Sequence, residues 1–237
     1  MTDTRPPLQQ WYPFLHGDEK NAEQENRALL ESVAQKADHS LSVKQQFFAD
    51  NAQAIVDTAR AIAAVYLSRG RMFSMGNGGS SCDASHFSVE FQHPITAGRP
   101  ALPATNLAMD MAMISAVAND VGVEHIFVRQ LDAHGRANDG LIGFSTSGNS
   151  SNLLAAYDKA KQLGMTTFGL AGGAGGDMLN TGLVDYCLVV NTDSIHRIQE
   201  VHVATYHILW DLVHTLLADH RGKLTESWPG TTLHRHA

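Results

Sequence analysis

The chain has 237 residues, 43% of them hydrophobic, and a formal net charge of -7. That length suits one α/β domain with a sizeable core and room for a helical arm. The apolar content excludes a disordered chain, and the acidic balance argues against a nucleic-acid-binding surface while leaving room for a small phosphorylated ligand held by local dipoles. Two cysteines, Cys82 and Cys187, stand far apart in no metal-like spacing, so a reducing, cytoplasmic setting is expected. The first ten residues carry Pro6 and Pro7 without the apolar stretch of a signal peptide. No apolar run reaches the ~18 residues that would suggest a membrane span.

In chain order, residues 1–20 read as irregular, broken by Pro6, Pro7, Pro13 and Gly17, with Trp11, Tyr12 and Phe14 as an aromatic cluster. Residues 22–69 are helical in pattern and are expected to split near residues 39–42 into two helices. In the second, Phe47, Phe48, Ala52, Ile55, Val56, Ala59, Ile62, Ala63 and Tyr66 recur at spacings of three and four, and Gly70 closes it. Strands are predicted at 71–75, 102–107, 140–144, 166–170 and 184–190. Helices are predicted at 81–92, 111–119, 125–133, 150–162 and 197–218. Strands alternating with helices give the fold class: α/β, a three-layer α-β-α sandwich on a five-stranded parallel sheet, with an N-terminal helical arm. The divisions expected are an arm over 1–40, a main domain over 41–220 and a mobile tail over 221–237, where Pro229, Gly230 and scattered histidines follow Gly222.

Two loops carry the first functional signal. Gly76-Asn77-Gly78-Gly79-Ser80 follows a predicted strand and opens a helix. Glycines there let the backbone approach a ligand, and the helix start offers free N–H groups and partial positive charge to an anion. A glycine-rich turn alone is as often plain structure. This one is neither a Walker loop, lacking Gly-Lys-Ser/Thr, nor a dinucleotide fingerprint, lacking the third glycine. Ser145-Thr146-Ser147-Gly148-Asn149-Ser150 sits in the next comparable place and supplies hydroxyl donors without charge. Ser150 also suits a simple helix N-cap. Two such loops at strand C-termini of one doubly wound sheet mark a ligand site better than either alone.

The acid/base candidates lie on helices. His86 and Glu90 are four apart and share a face. Gln199 and His207 are eight apart on roughly one side of the closing helix. Two imidazoles, a carboxylate and an amide could hold a divalent metal, with zinc favoured by the nitrogen content, or act as general acid and base. With 13 histidines in the chain, chance spacings are expected, and His202 and His214 receive no role.

Together these motifs resemble a known family. The stretch from Met75 through Gly-Asn-Gly-Gly-Ser-Ser-Cys-Asp-Ala-Ser to His86 and on to Glu90, Ala118-Asn119-Asp120, Phe144 to Ser150 and Arg197 to His202 are similar to the phosphoheptose isomerases of the SIS (sugar isomerase) domain superfamily, over about residues 45–218. The resemblance implies interconversion of sedoheptulose 7-phosphate and D-glycero-D-manno-heptose 7-phosphate through an enediol, by a homotetramer with shared active sites. It implies Glu90 and His207 as the acid/base pair. Ser80, Ser145, Ser147 and Ser150 would hold the phosphate, with Gly78, Gly79 and Thr146 in the same loops, and Asn77, Asp110 and Gln199 would contact substrate. His86, Glu90, Gln199 and His207 match the zinc ligands.

The chain departs from the family pattern after Glu90, where Phe91-Gln92-His93-Pro94-Ile95-Thr96 puts Pro94 at the place of a basic substrate contact. Arg99 before Pro100 is kept, and His196 precedes Arg197 where relatives carry a small or acidic residue. Two alternatives follow: an isomerase or sensor for another sugar phosphate, or a non-catalytic SIS protein that binds the replication initiator, a branch lacking the acid/base pair that Glu90 and His207 match here.

Overall fold

The computed structural model describes residues 22–220; the aromatic cluster of the first 20 residues and the tail over 221–237 lie outside them. The chain divides into two units at Ser42. In the first, the described residues belong to helix α1 (Ala22–Leu67), where Leu29, Leu30, Val33 and Leu41 are exposed. The break expected near residues 39–42 is not there: α1 is one helix of 46 residues. It contains no Gly or Pro, and the Ser42 hydroxyl donates back to the His39 carbonyl at 3.0 Å. A side chain that favours turns is thereby satisfied inside the helix.

The second unit holds the sheet. In chain order come β1 (Met72–Gly76), α2 (Gly79–Gln92), β2 (Ala104–Asn106), α3 (Met111–Asp120), α4 (Val128–His134), β3 (Gly140–Ser145), α5 (Ser151–Gln162), β4 (Thr166–Gly172), α6 (Gly176–Asn180), β5 (Tyr186–Val190) and α7 (Ile195–Leu216). The five strands are all parallel in the order β2-β1-β3-β4-β5. Element types match the sequence reading. Edges shift by a few residues, the predicted helix at 125–133 is a short 3-10 turn followed by α4, and α6 is new. Its run of glycines reads as loop, and its N-cap, Gly175, is left-handed at φ 83°.

Period-two alternation along the strands builds a core on each face. Met72, Ile142, Phe144, Phe168 and Leu170 pack on one side with α2, α7 and the α1 residues from Phe47 to Tyr66. Phe73, Met75, Leu141 and Ala171 pack on the other with α5 residues Leu153, Ala156 and Tyr157. The chain therefore leaves β1 towards one face through α2 and leaves its neighbour β3 towards the opposite face through α5. The crevice between these two exits is the position at which doubly wound sheets bind ligands, and both glycine- and serine-rich loops lie on it.

α2 ends where the sequence departs from the family. Pro94 disfavours helical geometry in the residue before it, and His93 leaves the helical region at φ -132°, ψ 69°.

Candidate active site

The first loop turns sharply into α2 at Gly78, φ 54°. The second turns at Gly148, φ 69°, where any side chain would strike the Gly175 carbonyl. Between them lies a cavity of about 100 Å³ lined by Asn77, Ser80, Phe144, Ser145, Thr146, Ser147 and Ser150. Among the described residues no charged side chain lines it. Its polarity comes from hydroxyls, one amide and the N-terminal ends of α2 and α5, whose helix dipoles favour an anion. The serines are held in place. Ser145 Oγ accepts from the Gly148 amide at 3.0 Å and lies 3.4 Å from Ser150 Oγ, and Ser147 Oγ accepts from the Asn149 amide at 3.2 Å. Asn77 and Asn152 exchange two amide hydrogen bonds of 2.9 Å, which ties the first loop to the start of α5.

α7 runs alongside α2 in the same direction. Gln199 packs its amide against Gly79, where a Cβ would collide with it. Tyr206 meets His86, Trp210 donates to the Glu90 carbonyl at 2.9 Å, and the His214 ring stacks on Phe91. This pairing gathers His86, Glu90 and His207, one ligand atom from each lying within 4.8 Å of the others. His86 Nε2 is 3.0 Å and His207 Nε2 3.7 Å from the same Glu90 oxygen, Oε1. All three side chains are half-buried, so the cluster is open to a ligand yet walled by Tyr206 and Trp210. At 1.5 Å per residue, His86 stands about 9 Å and Glu90 about 15 Å beyond Ser80 along α2.

Of the other predicted positions, Asp110 lies at the C-terminal side of β2 and outside the residues lining the cavity; its carboxylate caps α3 by accepting from the Met113 amide at 3.0 Å. His202 is fully buried, and burial lowers its imidazole to about 4 although a bond to the Ala171 carbonyl at 3.4 Å opposes this. It is a neutral core side chain. His196 is exposed at the start of α7.

Residues without a sequence signal also belong to the site. Asn152 is one, visible only once α5 is seen to start beside the first loop. Asp83 is another. It is 6% exposed, and its Oδ2 has no hydrogen-bond partner among the described residues. Burial raises its carboxyl to about 6, and the His86 charge pulls the other way. Tyr206 is buried with its hydroxyl 2.7 Å from His86 Nδ1; burial and the negative charges of Asp83 and Glu90 hold its proton well beyond the usual phenol range. Arg99 lies 4.3 Å over the Trp210 ring and pairs with Asp211, so the retained arginine braces the outer wall of the cluster.

Residues 37–172 match the SIS domain profile. The phosphoheptose isomerase of Desulfovibrio desulfuricans is 39% identical over 187 residues, covering 79% of this chain and 88% of that protein. The chain belongs to the phosphoheptose isomerase family. Its fold agrees with solved members. The enzyme from Neisseria gonorrhoeae superposes with a TM-score of 0.74 at 33% identity, covering 79% of this chain and 99% of that one. The enzyme from Francisella tularensis does so with a TM-score of 0.74 at 34% identity, covering 78% and 98%. Among the described residues no helix is long and apolar enough to cross a membrane.

Proposed function

We propose that this chain is a sedoheptulose 7-phosphate isomerase in which the serine loops hold the phosphate and Glu90 and His207 move the protons. The observation that carries the reading is the approach of His207 to Glu90 across two helices, at 3.7 Å, at a distance along α2 from an uncharged anion cradle that suits a long sugar chain.

The phosphate would lie among Ser80, Ser145, Thr146, Ser147 and Ser150, accepting hydroxyl and backbone N–H donors at the starts of α2 and α5. Asn77 and Gln199, at the α2 end of the cradle, would meet the sugar hydroxyls, and Asp110 would do so only if it released the Met113 amide. At the far end, a carboxylate oxygen of Glu90 takes the proton from C1 of the ketose. The C1–H electron pair becomes the C1–C2 double bond of the enediol as O2 gains a proton. Return of the proton to C2, with loss of a proton from O1, gives the aldose. His207 exchanges the protons between the oxygens. General acid–base groups so placed contribute about 10²–10⁴-fold each.

His86, Glu90 and His207 form a nitrogen-rich donor set that fits a zinc ion; the Gln199 amide, which the family resemblance adds as a fourth ligand, rests against Gly79 in this structure. Bound zinc would polarise the ketose oxygens as a Lewis acid. The family resemblance further supports a homotetramer, which sedimentation would test, and the two unpaired cysteines suit a cytoplasmic setting. Pro94 takes no part in the cluster, so its replacement of a basic residue bears on substrate affinity and not on the chemistry.

The test is incubation of the purified protein with sedoheptulose 7-phosphate, with and without chelator. The heptose 7-phosphate is expected to form, and to form more slowly after chelation. Conversion of only a pentulose or hexulose phosphate would reassign the substrate, and no turnover of any ketose phosphate would refute the enzyme.

A further inference from the structure

We infer that Tyr206, backed by Asp83, is a positioning residue that partners His86 Nδ1 in both tautomers of the ring and so lets the ring switch when a metal binds. The inference rests on the assignment of His86 to the reaction centre made above.

A carboxylate only accepts hydrogen bonds. With Glu90 Oε1 3.0 Å from His86 Nε2, Nε2 carries the proton and donates it. His86 Nδ1 is then an acceptor, and the Tyr206 hydroxyl, 2.7 Å away, donates to it. A metal at Nε2 requires the opposite arrangement, because the metal takes the Nε2 lone pair and the proton must sit on Nδ1. A phenol can serve both states, since its oxygen accepts as well as donates. In the metal-bound state Nδ1–H donates to Tyr206 Oη, and the phenolic proton needs another acceptor. Asp83 is the group suited to it: buried, one turn before His86 on α2, with Oδ2 unpartnered and close enough to both His86 and Tyr206 for its charge to act on them. An aliphatic side chain at 206 could offer neither bond. The ring packing that supports Tyr206, edge-on to Phe144 at 5.9 Å between centroids, would survive its replacement by phenylalanine.

The experiment uses the full chain as wild type, Tyr206→Phe and Asp83→Asn, with the His86 ring nitrogens observed by ¹⁵N NMR and assigned with a His86→Gln variant. In zinc-free wild type, Nε2 is expected to be protonated and Nδ1 bare, and added Zn²⁺ to reverse this. In Tyr206→Phe the zinc-free ring is expected to keep Nε2–H on Glu90 but to show an Nδ1 shift moved by the loss of its donor, and the Zn²⁺ dissociation constant to rise about 10- to 100-fold, the range for loss of a partner behind a ligand. Asp83→Asn should keep the zinc-free tautomer and weaken Zn²⁺ alone. Ring-nitrogen shifts in Tyr206→Phe identical to wild type would overturn the role of Tyr206, and unchanged Zn²⁺ affinity in Asp83→Asn that of Asp83. If wild type takes up no Zn²⁺, the metal reading fails by itself, and the zinc-free Nδ1 shift still decides on Tyr206.

Discussion

The two ends of the α2/α7 pair solve different problems with different materials. At the cradle end, Asn77, Ser80 and the hydroxyls of the 145–150 loop line a cavity without a charged side chain among the described residues, the materials proposed above to hold a phosphate. At the reaction end, two imidazoles and a carboxylate crowd within 4.8 Å, braced by a buried tyrosine and a tryptophan. The cradle is built from short contiguous stretches at the ends of adjacent strands. The reaction end joins residues such as His86 and Tyr206 that are 120 apart in sequence. On the proposed function, binding is a local property of two loops, whereas reactivity depends on how one helix lies against another.

The sharpest way to break the comparison is at the reaction end. His207→Asn keeps much of the side-chain volume and removes the proton carrier. Its kcat is expected to fall about 10²–10⁴-fold, with substrate affinity nearly unchanged, as stopped assays and calorimetry would show. A matching loss of affinity would mean that the two ends are not separable.

A second variant probes the core between the ends. His202 is neutral in the fold, lowered to about 4 against an ordinary 6.5. Below pH 6.5 the unfolded chain binds a proton that the native state refuses. This contribution to stability is therefore whole above pH 6.5 and is lost as pH falls towards 4, by about 3 kcal/mol in all. In urea titrations, the stability difference between wild type and His202→Gln should shrink by that order over this window. A difference that stays constant with pH would show that His202 is charged in the fold.

At the cradle end the effects are smaller. Asn152→Ala removes both amide bonds to Asn77 and should weaken binding of inorganic phosphate about tenfold, equivalent to roughly 1–2 kcal/mol. Gly79→Ala should displace the Gln199 amide and raise KM about fivefold with kcat kept, since about one hydrogen bond of ~1 kcal/mol is lost.

The same contrast explains what was legible beforehand. The strand–loop–helix order and both loops follow from local periodicity and turn chemistry, as does the sharing of a face by His86 and Glu90. The uninterrupted α1 was not legible, because Ser42 satisfies its own hydroxyl inside the helix. Nor was α6, hidden in a glycine run. That α7 carries His207 to Glu90 is a tertiary fact with no local signature, and Asp83 and Tyr206 acquire a role only from it, as Asn152 does from the start of α5 beside the first loop. The family resemblance named Glu90 and His207 but gave no reason for a tyrosine beside them.

The central claim is that recognition and proton transfer are housed at separate ends. Its most direct test is Glu90→Gln titrated with sedoheptulose 7-phosphate, with affinity and turnover read on one sample. The account predicts a dissociation constant close to that of wild type and turnover reduced at least a hundredfold. Turnover at the wild-type rate would contradict it.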